Sequence, residues 1–159
     1  MTLWKRVLCG FALALIVTVP LYAKVVVSGT RTGNQTFQGG NFALQLKNGG
    51  PNAISFSGRG VHTISFSAEC ETSGDWLSIQ FYLDFQLIAP TGGTNDAFCS
   101  DHNGNDVVDA WTTAHYRVAT PSLPDGVHTL QVLASVVGGL EGGGLATGWI
   151  GDLSVIVEK

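Results

Sequence analysis

The chain of 159 residues is short of charge, with Asp, Glu, Lys and Arg making up only 13% of it. It also lacks any stretch of a dozen residues with helical spacing of apolar side chains, which excludes helical bundles and helix-covered parallel sheets. Basic residues are few. Past residue 23 they are Lys24, Arg31, Lys47, Arg59, Arg117 and Lys159, scattered against twelve acidic side chains. Neutralising phosphate requires grouped Lys and Arg, so nucleic acid and anionic membrane surfaces are excluded as partners. No HExxH pair and no GxSxG occurs, and the four histidines fall on separate segments. The metalloprotease and serine-hydrolase signatures are therefore absent, and no spacing of Asp75, Asp84, Asp109 and Asp152 selects an acid and base pair. The chain is read as non-enzymatic.

Its longest hydrophobic run, Val7 to Val19, is shorter than the roughly 20 residues a spanning helix needs. Lys5 and Arg6 precede it, and Pro20 and Ala23 follow. That order is the layout of a secretory signal, so residues 1–23 are expected to be cleaved, leaving a single domain over 24–159 with no membrane span. The expected location is secreted, periplasmic or at the cell surface. Cysteine agrees with an oxidising compartment. Only Cys70 and Cys99 remain after cleavage, and one disulfide between them is expected.

What is abundant is glycine, 21 residues, together with strict two-residue alternation. Phe42, Leu44 and Leu46 alternate with polar or small neighbours, as do Ile54 and Phe56, and Ile64, Phe66 and Ala68. The stretch DWLSIQFYLDFQLI continues the pattern through Leu77, Ile79, Phe81, Leu83, Phe85 and Leu87. Glycine and asparagine clusters such as GTRTGN, NGGPN, SGRG and PTGGTND separate the segments. Together they predict an all-β fold, an antiparallel β-sandwich of the jelly-roll or immunoglobulin-like kind with about eight or nine strands.

The stretch LPDGVHTLQVLA followed by GWIGDLSVIVE resembles the final hairpin of small secreted β-sandwich domains, and the corner of fibronectin type III domains. His128 stands where that corner has tyrosine. The resemblance implies a sandwich fold and carries no function by itself. His128 should begin a core-facing row with Leu130, Val132 and Ala134, as a hydrogen-bonded structural residue; His62 begins a similar row.

Two places carry chemistry. In CSDHNGNDVVD, residues 99–109, Asp101, Asn103, Asn105 and Asp109 place oxygen donors at alternate positions, as a calcium loop requires. Asp106 replaces the turn glycine, however, and Thr112 stands where the bidentate glutamate belongs. An exposed Asn-Gly hairpin without metal explains the same residues better, with Ca2+ as the alternative. The stretch VVDAWTTAHYRV puts Asp109, Trp111, His115 and Arg117 on one face, and Trp76 and Tyr82 form a second outward row on the long strand. If those strands are neighbours, the rows merge. An aromatic beside a cation, a carboxylate and an imidazole can stack on a sugar ring and bond its hydroxyls, or can anchor a protein. The sequence therefore leads to two readings. One is a secreted binding module for a glycan or extracellular protein; the other is a structural or assembly protein of the envelope or surface, such as an adhesin, fibre or surface-layer component, acting as a homo-oligomer.

Overall fold

The computed structural model describes residues 23–89, 97–100, 111–138 and 144–159. The expected leader up to residue 22 and the calcium candidates Asp101, Asn103, Asn105 and Asp109 lie outside the described residues. The described residues contain eleven strands and no helix: β1 (Val25–Arg31), β2 (Gln35–Gln38), β3 (Phe42–Ala43), β4 (Ile54–Gly60), β5 (Thr63–Thr72), β6 (Trp76–Leu83), β7 (Gln86–Ala89), β8 (Ala97–Ser100), β9 (Thr112–Ala119), β10 (Leu123–Val137) and β11 (Thr147–Glu158). No helix among them is long and apolar enough to cross a membrane.

All pairings are antiparallel and fall into two sheets. The first has the order β1, β11, β5, β9, with β2 also on β11; the second has the order β3, β10, β6, β7, with β4 also on β10 and β8 also on β6. The count exceeds the eight or nine expected because edge strands are interrupted. β1 and β2 pair with successive stretches of β11, and β3 and β4 with successive stretches of β10.

The sheets face each other across one core built from the alternating rows. Ile64, Phe66, Ala68, Val155 and Val157 come from the first sheet, and Leu77, Ile79, Phe81, Leu130, Val132 and Ala134 from the second. Phe66 and Phe81 meet edge to face across the gap, with centroids 5.9 Å apart, an arrangement that contributes about 0.5–1.5 kcal/mol beyond the area buried. One side of the gap is closed by the chain itself. Leu44 and Leu46 are fully buried where the chain leaves β3, and the Gln35 side-chain amide bonds both backbone groups of Gln45, at 2.7 and 3.2 Å. The two ends of the domain also adjoin: Lys24 and Lys159 exchange backbone hydrogen bonds of 2.9 Å.

The long strand expected over DWLSIQFYLDFQLI is instead a hairpin. Asp84 and Phe85 take φ of 49° and 65°, the two left-handed residues of a tight turn, and β7 folds back on β6. Phe85 is thereby 76% exposed and Leu87 38% exposed, although both continue the apolar alternation. Asp tolerates this conformation, whereas a bulky aromatic at the second position is strained. What holds the turn is Asp84: its backbone N–H donates to the Thr129 carbonyl at 2.9 Å, and its Oδ1 accepts from the Thr129 N–H at 2.8 Å. The segment SGRG, expected as a turn, runs within β4.

Replacing Phe85 by glycine converts the turn to Asp-Gly and removes the strain. The urea midpoint of Phe85→Gly should rise, corresponding to about 0.5–1 kcal/mol. A lower midpoint would mean that the exposed ring makes stabilising contacts.

Candidate functional site

The described residues enclose no pocket and hold no group of three or more His, Cys, Asp or Glu placed to bind a metal. Recognition chemistry is therefore sought on sheet faces and in buried polar clusters.

The outward face of the first sheet carries a wide hydroxyl-rich shelf. Cross-strand register aligns Thr30, Ser154, Ser67 and His115 in one row, and Ser28, Ile156, Ser65 and Arg117 in the next. His115 and Arg117 are exposed on β9, and the serines beside them are too short to cover them. Opposite-facing Ala114, Tyr116 and Val118 pack on the core, which fixes which way β9 presents its polar set. Trp111 immediately precedes β9 and is 39% exposed.

The Trp111 indole lies against Gly151 of β11. A Cβ at Gly151 would stand 3.1 Å from Cζ3 and 3.5 Å from Cη2 of that ring, and 2.8 Å from Asn34 Oδ1. Glycine is thus what allows the indole to sit close to the sheet. Gly151 is at the bulge where the β11–β5 register shifts. Trp149, half-buried on the same outward face and in register with Thr36 and Glu71, is a second aromatic that the sequence reading passed over. Its signal was available: Gly148 and Ile150 are the inward neighbours in GWIGD.

Trp76 and Tyr82 do not join this surface. They lie half-buried on β6, which belongs to the second sheet, while β9 belongs to the first. The two rows face outward from different sheets, so the merged patch is corrected to two separate faces. The reason is topological: β6 pairs with β10, β7 and β8, and β9 pairs with β5. Asp109, expected beside Trp111, lies outside the described residues.

The expected disulfide is also corrected. Cys70 and Cys99 are free thiols, both buried. They lie on β5 and β8, strands of opposite sheets that approach each other where the rings of Phe66 and Phe98 meet at 5.5 Å.

A buried histidine cluster sits where β4 hands over to β5. His128 is 3% exposed, and every atom that its ring nitrogens meet is an acceptor. Nδ1–H donates to Asp84 Oδ2 at 2.7 Å, and Nε2–H donates to the carbonyls of Pro124 at 3.1 Å and Gly58 at 3.2 Å. Acceptors on both sides favour the doubly protonated ring. The Asp84 carboxylate, above all, raises the His128 pKa, and His128 in turn holds Asp84 below its ordinary value. His62, 1% exposed, donates from Nδ1–H to the Gly60 carbonyl at 3.2 Å, while its Nε2 is buried without a partner. A Cβ on Gly58 would stand 2.7 Å from that nitrogen, so Gly58 explains why SGRG contains glycine inside a strand. Phe56 lies between the imidazoles, at 5.3 and 5.7 Å. The cluster ties β4, β10 and the β6–β7 turn together and opens on no pocket among the described residues.

Comparison with protein-family models and with curated proteins finds no match.

The Asp84–His128 pair sets a pH window. Asp84, lowered when folded, stabilises above its ordinary value of 3.8 and loses that contribution as pH falls. His128, raised when folded, stabilises fully below 6.5 and loses that contribution as pH rises through its folded value. The difference in melting temperature between wild type and Asp84→Asn should therefore be greatest between about pH 4 and 6.5 and shrink on both sides. A difference independent of pH from 3 to 9 would refute the ionic reading of this contact.

Proposed function

We propose that the protein is an exported, non-catalytic binding module of the β-sandwich class, jelly-roll or immunoglobulin-like, whose first-sheet outer face takes a glycan or another polar extracellular ligand. The observation that carries this reading is the indole of Trp111 resting on Gly151 beside the open row of Ser154, Ser67 and His115 and the adjoining row that carries Ser65 and Arg117. A half-exposed indole offers an apolar plane to a sugar ring, and the neighbouring hydroxyls and the planar Arg117 fork supply hydrogen bonds around it. Short serines keep the shelf open to a flat ligand. Trp76 and Tyr82 on the opposite face are outside this footprint.

Titration calorimetry guided by a glycan array is the direct test. Trp111→Ala should weaken binding at least 10-fold, corresponding to about 1.4 kcal/mol or more, while Tyr82→Ala leaves it unchanged. Equal loss from both variants, or no glycan bound by the wild type, removes the reading.

One observation favours a second reading, an assembly component acting as a homo-oligomer. Val25, Val61, Phe85 and Val127 are 52%, 55%, 76% and 71% exposed, and all lie toward the end where β4 passes to β5. Apolar side chains gathered at one end suit a contact with another copy. Light scattering at micromolar concentration decides: an oligomer that dissociates in Phe85→Ser and persists in Trp111→Ala supports assembly, and a monomer rules it out.

A further inference from the structure

We infer that Asn34 is an N-glycosylation site and that the first sugar attached there lies on the Trp111 indole. NQT, residues 34–36, is the sole Asn-x-Ser/Thr triplet of the chain, and such a triplet is the acceptor of N-linked oligosaccharide in exported proteins. It stands where β1 turns into β2, just after Gly33 in the left-handed region at φ 79°. Asn34 and Thr36 are exposed on either side of buried Gln35, so the amide and hydroxyl of the triplet face outward together. Other groups hold the turn: the Gly33 N–H donates to Asp152 Oδ1 at 2.8 Å, and the Arg31 guanidinium donates to the carbonyls of Gly33 and Asn34. The Asn34 side-chain amide makes no hydrogen bond among the described residues, so a sugar on its nitrogen breaks none of them.

Asn34 and Trp111 meet over Gly151. A Cβ at Gly151 would stand 2.8 Å from Asn34 Oδ1 and 3.1 Å from Trp111 Cζ3, so the amide and the ring edge are near neighbours. Thr36 is in register with Trp149, the second indole of the same outward face. A pyranose linked to the Asn34 nitrogen therefore begins beside an indole that is 39% exposed, and its C–H face covers that apolar plane. This inference rests on the export and on the Trp111 plane of the function proposed above, and it needs no outside ligand. Where Asn34 is unmodified, the plane stays open to one.

Strand pairing decides when the triplet is accessible. In the folded domain Gln35 is buried and its amide bonds Gln45, which bars the segment from a transferase. Among the described residues, however, β2 pairs with β11 alone, and its partner stretch, residues 147–150, is made after most of the chain. At about 5–20 residues per second, the triplet waits on the order of 5–20 s for that partner. The transfer takes place in this interval. Asn34 Nδ2 loses a proton and attacks C1 of the first N-acetylglucosamine of a lipid diphosphate oligosaccharide. The C1–O bond breaks, and the lipid diphosphate departs with its electron pair; no oxidant or reductant takes part.

The test uses the full chain secreted from cultured eukaryotic cells. Its mass should exceed that of the polypeptide by one N-linked oligosaccharide, released by a glycan amidase that converts Asn34 to aspartate. Asn34→Gln and Thr36→Ala should lose the added mass, and Thr36→Ser should keep at least part of it. After trimming to a single N-acetylglucosamine, through-space NMR contacts should join the sugar to the Trp111 ring protons. Trp111→Ala should still carry the sugar but return its signals to the positions of free N-acetylglucosaminyl-asparagine. A secreted wild type without the added mass, or with the sugar on another residue, overturns the site; an attached sugar without contact to the Trp111 ring overturns its seating. If a variant fails to fold, digestion of the wild type still locates the sugar. Protein made in bacterial cells carries no sugar, so the glycan titrations with Trp111→Ala succeed or fail independently of this result.

Discussion

The burial of alternate side chains from β10 and β11 is the constraint on which the other strands depend. β10 carries β3, β4 and β6, and β11 carries β1, β2 and β5, so each sheet is organised around one long C-terminal strand. Leu130, Val132 and Ala134 on one and Ile150, Val155 and Val157 on the other are fully buried, so a one-residue slip in either would turn that whole row to solvent. Each such side chain contributes on the order of 1.5–3 kcal/mol relative to exposure, which makes the register of both strands firm. β11 absorbs one irregularity, the bulge at Gly151 and Asp152, and it is there that the Trp111 indole finds room.

Polar residues inside the core follow a different logic from the apolar rows. His128 satisfies both nitrogens at once through a carboxylate and two backbone carbonyls, and so converts three separate chain segments into one hydrogen-bonded unit. His62 is only half satisfied, and a buried nitrogen without a partner costs about 1–3 kcal/mol. Its close approach to Gly58 places this cost beside the contact that orders the end of the sheet pair. Phe85 adds backbone strain on the same side of the second sheet, tolerated because Asp84 is held from two directions.

The alternation in the amino-acid sequence was enough to assign the inward rows of β4, β5, β6 and β10, because period-2 spacing maps directly onto the two faces of a strand. It failed at Asp84 and Phe85, where a turn interrupts a pattern that Phe85 and Leu87 continue unchanged; the tertiary bonds to Thr129 and His128 that hold this turn are invisible in a local window. Alternation also says which face a residue occupies, never which sheet. Trp76 and Tyr82 lie opposite the buried row of their strand, as the alternation predicts, while their separation from Trp111, His115 and Arg117 depends on pairings between distant segments. Gly151 and Gly58 are of the same kind: each is required by an atom far away in the chain, and nothing in their neighbours signals it.

The reciprocal bonds between Lys24 and Lys159 bring the two extremities of the domain to a single point. Whatever precedes the first strand and whatever follows the last must leave from one spot, so the body behaves as a cassette. It could be spliced into a surface loop of a host protein, or reopened at another loop with its original ends joined by a short linker, without pulling either sheet apart.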